Sequence, residues 1–415
     1  MALPSLGRNA AWALAGNLVY AACQAGVLVA LAKLTSAADV GRFALGLAVA
    51  SPVVLFTNLH LRAVQATDAR RAHAFGTYLG LRLLTVAAAL AVVAALALGG
   101  GYDRATALVI LAVGLAKGVE AVSDVLLGRL QQAERLRRIA LSLMAKGACG
   151  LAAVAVVVAA TGSVFAAVLA LAAGWAVVLL AADLRAVGGL EPLCPRFDPR
   201  ALGGLARLAL PLGGVMGLNA LMVSVPRFAV ADALGPAALG HFAALAYLLV
   251  AAQQPMLALG AAVSPRLARH FVADRDAYAR LARVTVALAL VLGLGLVAAA
   301  ALVGPRLLPL VYTPEYARHA GVLTWLALAG AVGMGASALG YSLTAARWFG
   351  PQLAVAAAAV SVCALASHWL VPRWGLTGAA WAVIATEGCR VVCLGVLHRA
   401  ARTAPVPAAA LAGAR

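Results

Sequence analysis

The sequence predicts an all-α, polytopic membrane protein of about twelve transmembrane helices, arranged as two halves of six. Three observations carry this expectation. Of the 415 residues, 64% are apolar and 11% charged, and the mean hydropathy is +0.98, far from the balance of a water-soluble domain. Apolar runs of roughly 20 residues recur from Ala10 to Val396, each long enough at about 1.5 Å per residue to cross about 30 Å of hydrocarbon. The basic residues alternate between crowded and sparse connections along the chain, which is the positive-inside pattern.

Helices are expected over about 10–32, 43–61, 76–98, 105–128, 139–160, 163–182, 208–226, 239–262, 284–304, 320–344, 351–371 and 376–397. The first run follows Arg8 and exceeds a usual signal-peptide core, so it reads as a retained helix, with cleavage near Ala32 as the other reading. With the N-terminus inside, 21 of the 32 Lys and Arg residues fall in inner connections. Among them are Arg62, Arg70 and Arg71, then Arg129, Arg135, Arg137 and Arg138, then Arg266, Arg269, Arg275, Arg280 and Arg283, and Arg415 at the end. Seven fall outside: Lys33, Arg42, Arg104, Arg227, Arg306, Arg318 and Arg373. Arg82, Lys117, Lys146 and Arg390 lie within helices. The asymmetry places both termini in the cytoplasm.

The longest connection, 183–207, carries Pro192, Pro195 and Pro199 and separates an N-terminal six-helix lobe (1–182) from a C-terminal one (208–415) with a short cytoplasmic tail. An offset of 199 positions lays Ala30–Ala44 on Ala229–Ala243 and matches Gly41 with Gly240, Phe43 with Phe242 and Ala44 with Ala243. Both stretches lie between the first and second helices of their half. Parallel repeats of this kind typically place a substrate path between lobes.

The excess of base, a formal charge of +18, sits mainly in connections and forms no Lys/Arg stripe interleaved with aromatics, so a nucleic-acid partner is not expected. The six cysteines lack paired metal-ligand spacing and read as packing residues. No phosphate-binding loop, zinc motif or Ser/His/Asp constellation occurs, so neither catalytic residue, metal nor cofactor is expected.

Charge inside the apolar runs is the main functional signal. Lys117, Glu120 and Asp124 share one helical face, the latter two lying about 60° and 20° from the first. A charge at the bilayer centre costs roughly 2.5–3.5 kcal/mol, so this face has to meet a partner or a wet cavity. Two readings stand: a Lys117–Glu120 pair that docks its helix, or a transport site. Arg82 either snorkels to the inner surface or meets a ligand, and Lys146 has the same snorkelling reading. Glu387 and Arg390, three residues apart, are within pairing reach. Asn17, Tyr20 and Gln24 recur at i, i+3 and i+7, and either line a cavity or bond between helices. Arg62 is an inner anchor or a pyrophosphate ligand, a task suited to its planar fork.

Four stretches resemble a known family: Tyr20–Arg71, YAACQAGVLVALAKLTSAADVGRFALGLAVASPVVLFTNLHLRAVQATDARR; Gly128–Gly147, GRLQQAERLRRIALSLMAKG; Leu307–Leu323, LLPLVYTPEYARHAGVL; and Val371–Ala382, VPRWGLTGAAWA. They are similar to bacterial polysaccharide-biosynthesis membrane proteins, the oligosaccharide flippases of the multidrug/oligosaccharidyl-lipid/polysaccharide exporter (MOP) superfamily. The resemblance implies two six-helix lobes around a central cavity in the bacterial cytoplasmic (inner) membrane. It also implies movement of an isoprenoid-pyrophosphate-linked oligosaccharide from the cytoplasmic to the outer leaflet. Expected partners are then that lipid-linked oligosaccharide, the membrane lipids, a coupling proton or sodium ion, and a polysaccharide polymerase. Arg62, Arg82, Lys117, Asn17 and Gln24 are the candidate substrate contacts, and Glu120, Asp124 and Glu387 the candidate ion-coupling groups. A cation-coupled multidrug exporter of the same superfamily is the nearest alternative, and would be expected to surround its substrate with acidic groups. A membrane-embedded glycan polymerase or ligase is the alternative of another class, disfavoured by the short outer connections.

Overall fold

The computed structural model describes residues 6–68 and 72–403. Arg70, Arg71 and Arg415 lie outside these, as does the side chain of Arg8. The described residues are helical almost throughout and contain no strand. They divide into two compact units, Met1–Ser224 and Val225–Arg415.

The first unit comprises α1 (Leu6–Leu34), α2 (Ala37–Thr57), α3 (Leu61–Thr67), α4 (Phe75–Gly99), α5 (Arg104–Gln132), α6 (Leu136–Thr161) and α7 (Val164–Val178). The last continues through one π-helical turn, Leu179–Asp183, into α8 (Leu184–Gly188), and α9 (Pro199–Ala252) begins in this unit. Spans start where short polar side chains satisfy the free N–H groups of a first turn. Ser36 accepts from the Asp39 N–H (3.2 Å), Asp103 from Thr106 (3.3 Å) and Ser163 from Ala166 (3.2 Å). The hub is α5, which packs against α2, α3, α4 and α7, while α1 lies along α6. That second pair meets through small residues, because a Cβ at Gly16 would come within 2.6 Å of the Ala140 Cα. Small residues of this kind let membrane helices approach closely.

The second unit contains the rest of α9, then α10 (Gln254–Ala273), α11 (Arg275–Leu302), α12 (Gly304–Val311), a 3-10 turn (Pro314–His319), α13 (Ala320–Ala345) and α14 (Phe349–Thr403). Here α13 is the hub, packing on α10, α11 and α14. Both α9 and α14 break at a glycine in the left-handed region, Gly235 (φ 83°) and Gly375 (φ 56°), where a Cβ would be strained. Among the described residues ten helices are long and apolar enough to cross a membrane, and two of them are 75 and 53 residues long. Divided at the two glycines, these account for the twelve expected crossings, and the chain is a multi-pass membrane protein.

The structure departs from the sequence reading at three connections. Within 183–207, read as a connection between the two halves, α8 and the start of α9 are helical and only the middle is extended. That extended piece is pinned to α4, with the Arg196 N–H donating to the Gly76 carbonyl at 2.8 Å. The backbone of 194–196 rests where Gly76 and Gly80 carry no side chain. The inner connection expected between 262 and 284 is also helical, broken at Asp274, whose carboxylate caps α11 through the Asp276 and Ala277 N–H groups (both 2.9 Å). Finally, the repeat residues Gly41, Phe43 and Ala44, and Gly240, Phe242 and Ala243, lie within helices rather than between them. They occupy the first turns of α2 and of the α9 segment after Gly235, and all are buried.

Between α3 and α4 the Asp68 carboxylate accepts from the N–H groups of Ala72 (3.0 Å) and His73 (3.3 Å) and from the Tyr78 hydroxyl (3.2 Å). Burial pushes this carboxyl up, but the three hydrogen bonds and the nearby His73 together outweigh it and hold the group below the usual carboxylate range. A depressed folded value means that its contribution is present above the unfolded value of about 4 and is lost as pH falls through the folded value. Amide-exchange protection at Ala72 and His73 is therefore expected to fall on acidification below about pH 4. In Asp68→Asn that pH dependence should be absent.

Candidate functional site

Two linked polar groups lie along the predicted face of α5. In the first, the Lys117 ammonium donates to Glu120 Oε2 (2.8 Å), the Tyr20 hydroxyl donates to Glu120 Oε1 (2.7 Å), and the Gln24 amide donates to the Tyr20 oxygen (2.8 Å). The α1 backbone at Tyr20 rests against Gly147 of α6, where a Cβ would come within 3.3 Å of the Tyr20 Cα. The Trp175 ring of α7 covers Lys117, its centroid 5.8 Å from Nζ.

The second group centres on Asp124. Arg62 donates to its Oδ1 at 3.3 Å and to Gln131 Oε1 at 3.0 Å. Arg82 lies 3.8 Å from Oδ2 and donates to Asn58 Oδ1 at 2.5 Å. The backbone makes this possible: α2 stops at Thr57, Leu59 and His60 both take φ 50°, and α3 starts at Leu61. Consecutive left-handed residues other than glycine are uncommon and costly. Here they turn the chain so that Asn58 and Arg62 approach Asp124 from two sides.

A cavity of about 330 Å³ runs along this face within the first unit, walled by Ser51, Asn58, His60, Lys117, Glu120 and Asp124 together with apolar side chains. The side chains of Lys117, Glu120 and Asp124 keep 25%, 31% and 31% of their surface open, so each is paired on one side and free on the other. A cavity walled by opposite charges can hold a polar or ionic solute and can exchange a proton or cation at its carboxylates.

The other predicted residues fall in different places. Arg82 does not snorkel: its side chain is fully buried behind Asp124 and off the cavity wall. Lys146 does not snorkel either, but pairs with Asp183 at 2.8 Å, both side chains at most 3% exposed, with Ser123 bridging them. Asn17 is exposed and donates to Ala13 of its own helix (2.8 Å). Glu387 lies in the second unit, accepts from Arg390 at 2.7 and 3.0 Å, and leans on Gly333. Asn58 and Asp183 were not singled out from sequence. The available signal for Asp183 was a lone acid, GWAVVLLAADLR, in the run after the one carrying a lone Lys146. Among the described residues no cluster of His, Cys, Asp and Glu could hold a metal ion.

No protein-family model and no curated protein sequence matches the chain. Solved structures do. A multidrug resistance MATE family transporter of the MOP superfamily, in its inward-facing conformation, matches with a TM-score of 0.73 over 94% of this chain and 97% of that one, at 14% identity. The chain shares the fold of that structure. The lipid II flippase MurJ, in an inward closed conformation, shares it at a TM-score of 0.72 and 12% identity, over 94% of this chain and 87% of that one. So does a MOP superfamily transporter from Pyrococcus furiosus, for which a binding pocket of reverse polarity suggests a different function, at 0.63 and 14% identity over 95% and 94% of the two chains. The likeness bears out the MOP fold expected from the four sequence stretches.

Proposed function

We propose that this MOP-fold protein is a flippase that moves an isoprenoid-pyrophosphate-linked oligosaccharide from the cytoplasmic to the outer leaflet of a bacterial inner membrane, for cell-surface polysaccharide synthesis. The observation that carries the reading is the cavity wall formed by Lys117, Glu120 and Asp124 inside an otherwise apolar bundle. The wall alone carries Glu120 and Asp124 against Lys117, but Arg62 and Arg82 meet Asp124 from off the wall and bring the cluster to three basic groups against two acids. That balance suits an anionic pyrophosphate better than the organic cation of a multidrug exporter, which calls for a surplus of acid.

In this reading Lys117 and Arg62 meet the pyrophosphate, Arg82 adds positive field from behind Asp124, and the Gln24 amide, linked through Tyr20 to Glu120, serves the sugars. Glu120 and Asp124, with Glu387 in the second unit, are the groups through which a proton or sodium gradient drives alternating access. The lobes are 1–182 and 208–415, joined by 183–207, with both termini cytoplasmic and a polysaccharide polymerase receiving the product.

The test is reconstitution of the full chain with a fluorescent lipid-pyrophosphate oligosaccharide under an imposed proton or sodium gradient. Label is expected to change leaflet faster than in protein-free vesicles. Lys117→Ala should slow this by about 10–100-fold, the worth of a charge-assisted hydrogen bond, at normal protein abundance. An unaltered leaflet distribution overturns the substrate assignment, and uptake of an organic cation without lipid movement supports the exporter instead.

A further inference from the structure

A second cavity, of about 440 Å³, lies between α6 and the π-helical turn that joins α7 to α8. It is separate from the wall of Lys117, Glu120 and Asp124, and nothing in the proposed transport cycle uses it. Two of its lining side chains are buried and incompletely satisfied. Ser142 is 4% exposed and its hydroxyl has no partner. Asp183 is 1% exposed; its Oδ2 takes Lys146 (2.8 Å) and the Ser123 hydroxyl (2.5 Å), while its Oδ1 has no partner. Buried polar atoms left unpaired are rare and costly, so this pair calls for a ligand with matching groups. The π turn is the local device that presents Asp183 here, and such bulges recur at functional sites.

The rim defines the ligand's charge. Arg138 and Arg185 both line the cavity and are exposed, Arg138 making only a long contact with the Ala186 carbonyl (3.5 Å). Because Lys146 neutralises Asp183, the floor is neutral and the two guanidinium groups leave the site net positive. The surroundings define where the ligand comes from. Ser142 lies about 9 Å along α6 from its first residue, near a membrane boundary. Leu141, Val177 and Leu180, on the same elements, are 45%, 60% and 61% exposed and offer an apolar flank. A basic pocket between helices next to exposed apolar surface is the arrangement that holds a lipid headgroup.

We propose that this cavity binds the headgroup of an anionic phosphodiester lipid that carries free hydroxyls. The phosphate is held by Arg138, Arg185 and the Ser142 hydroxyl, a headgroup hydroxyl donates to Asp183 Oδ1, and the acyl chains follow Leu141, Val177 and Leu180. The hydroxyl is required because an ionised carboxylate oxygen can only accept.

The test uses the purified full chain in detergent, with lipid retention read by native mass spectrometry and stabilisation by thermal unfolding. Phosphatidylglycerol, phosphatidylmethanol, phosphatidylcholine and inorganic phosphate are compared. Phosphatidylglycerol is expected to bind tightest, phosphatidylmethanol more weakly for want of hydroxyls, and phosphatidylcholine weakest. Arg138→Gln with Arg185→Gln should weaken phosphatidylglycerol by about 30-fold, the factor expected for two basic side chains at a lipid surface, with the lipid-free melting temperature unchanged. Ser142→Ala should weaken it less. Equal binding to the double variant overturns the site. Equal binding of phosphatidylmethanol overturns the Asp183 contact, and full stabilisation by inorganic phosphate alone overturns the lipid in favour of a free anion.

Discussion

Asp183→Ala is expected to destabilise the protein by about 3–5 kcal/mol, because it strands a buried ammonium. Lys146 is 3% exposed and its partners are Asp183 and Ser123. Without the carboxylate the remaining hydrogen-bond partner of the ammonium is the Ser123 hydroxyl. The measurement is the thermal midpoint of the purified full chain, together with the yield of folded protein from membranes. Lys146→Met combined with Asp183→Leu should recover most of the loss, since replacing both members of a buried pair by apolar groups is often neutral or better. Near-wild-type stability of Asp183→Ala alone would sink the pairing.

Asp124→Ala is the second large effect, again of about 3–5 kcal/mol, and its origin lies in Arg82 rather than in Asp124 itself. Asp124 keeps 31% of its side-chain surface open, whereas Arg82 keeps none. Removing the acid leaves the guanidinium with Asn58 alone. Asp124→Ala combined with Arg82→Met should restore folding while leaving transport impaired, because the cavity wall would then lack its carboxylate. Lys117→Ala should separate from both by lowering transport at normal abundance. Lys117 lies at the cavity wall, and Glu120 keeps the Tyr20 bond when it is removed. If Asp124→Ala folds as well as Lys117→Ala, Arg82 does not depend on Asp124.

Much of the architecture was legible from hydropathy and charge, since a bilayer imposes a span length and a one-dimensional pattern that neighbours barely alter. The twelve crossings, the polar face of Lys117, Glu120 and Asp124, and the Glu387–Arg390 pair followed from periodicity along single helices. Helix ends were less legible. The reading ran α2 past Thr57 because nothing local marks Leu59 and His60 as left-handed residues, and the linker reading of 183–207 did not include its packing on α4, which is a tertiary contact.

What the sequence determined by itself, then, is which charges are too costly to face hydrocarbon. Which partner each one takes was decided by tertiary structure alone. Lys146 and Arg82 read as snorkelling anchors from their own helices, but the packing of α6 against α7 brings Asp183 to the first, and the packing of α5 against α2 and α4 with the turn at 58–60 brings Asn58 and Asp124 to the second. Pairing between helices depends on rotation and depth about each axis, and those are set by small-residue contacts such as Gly16 on Ala140, which no single-helix pattern encodes.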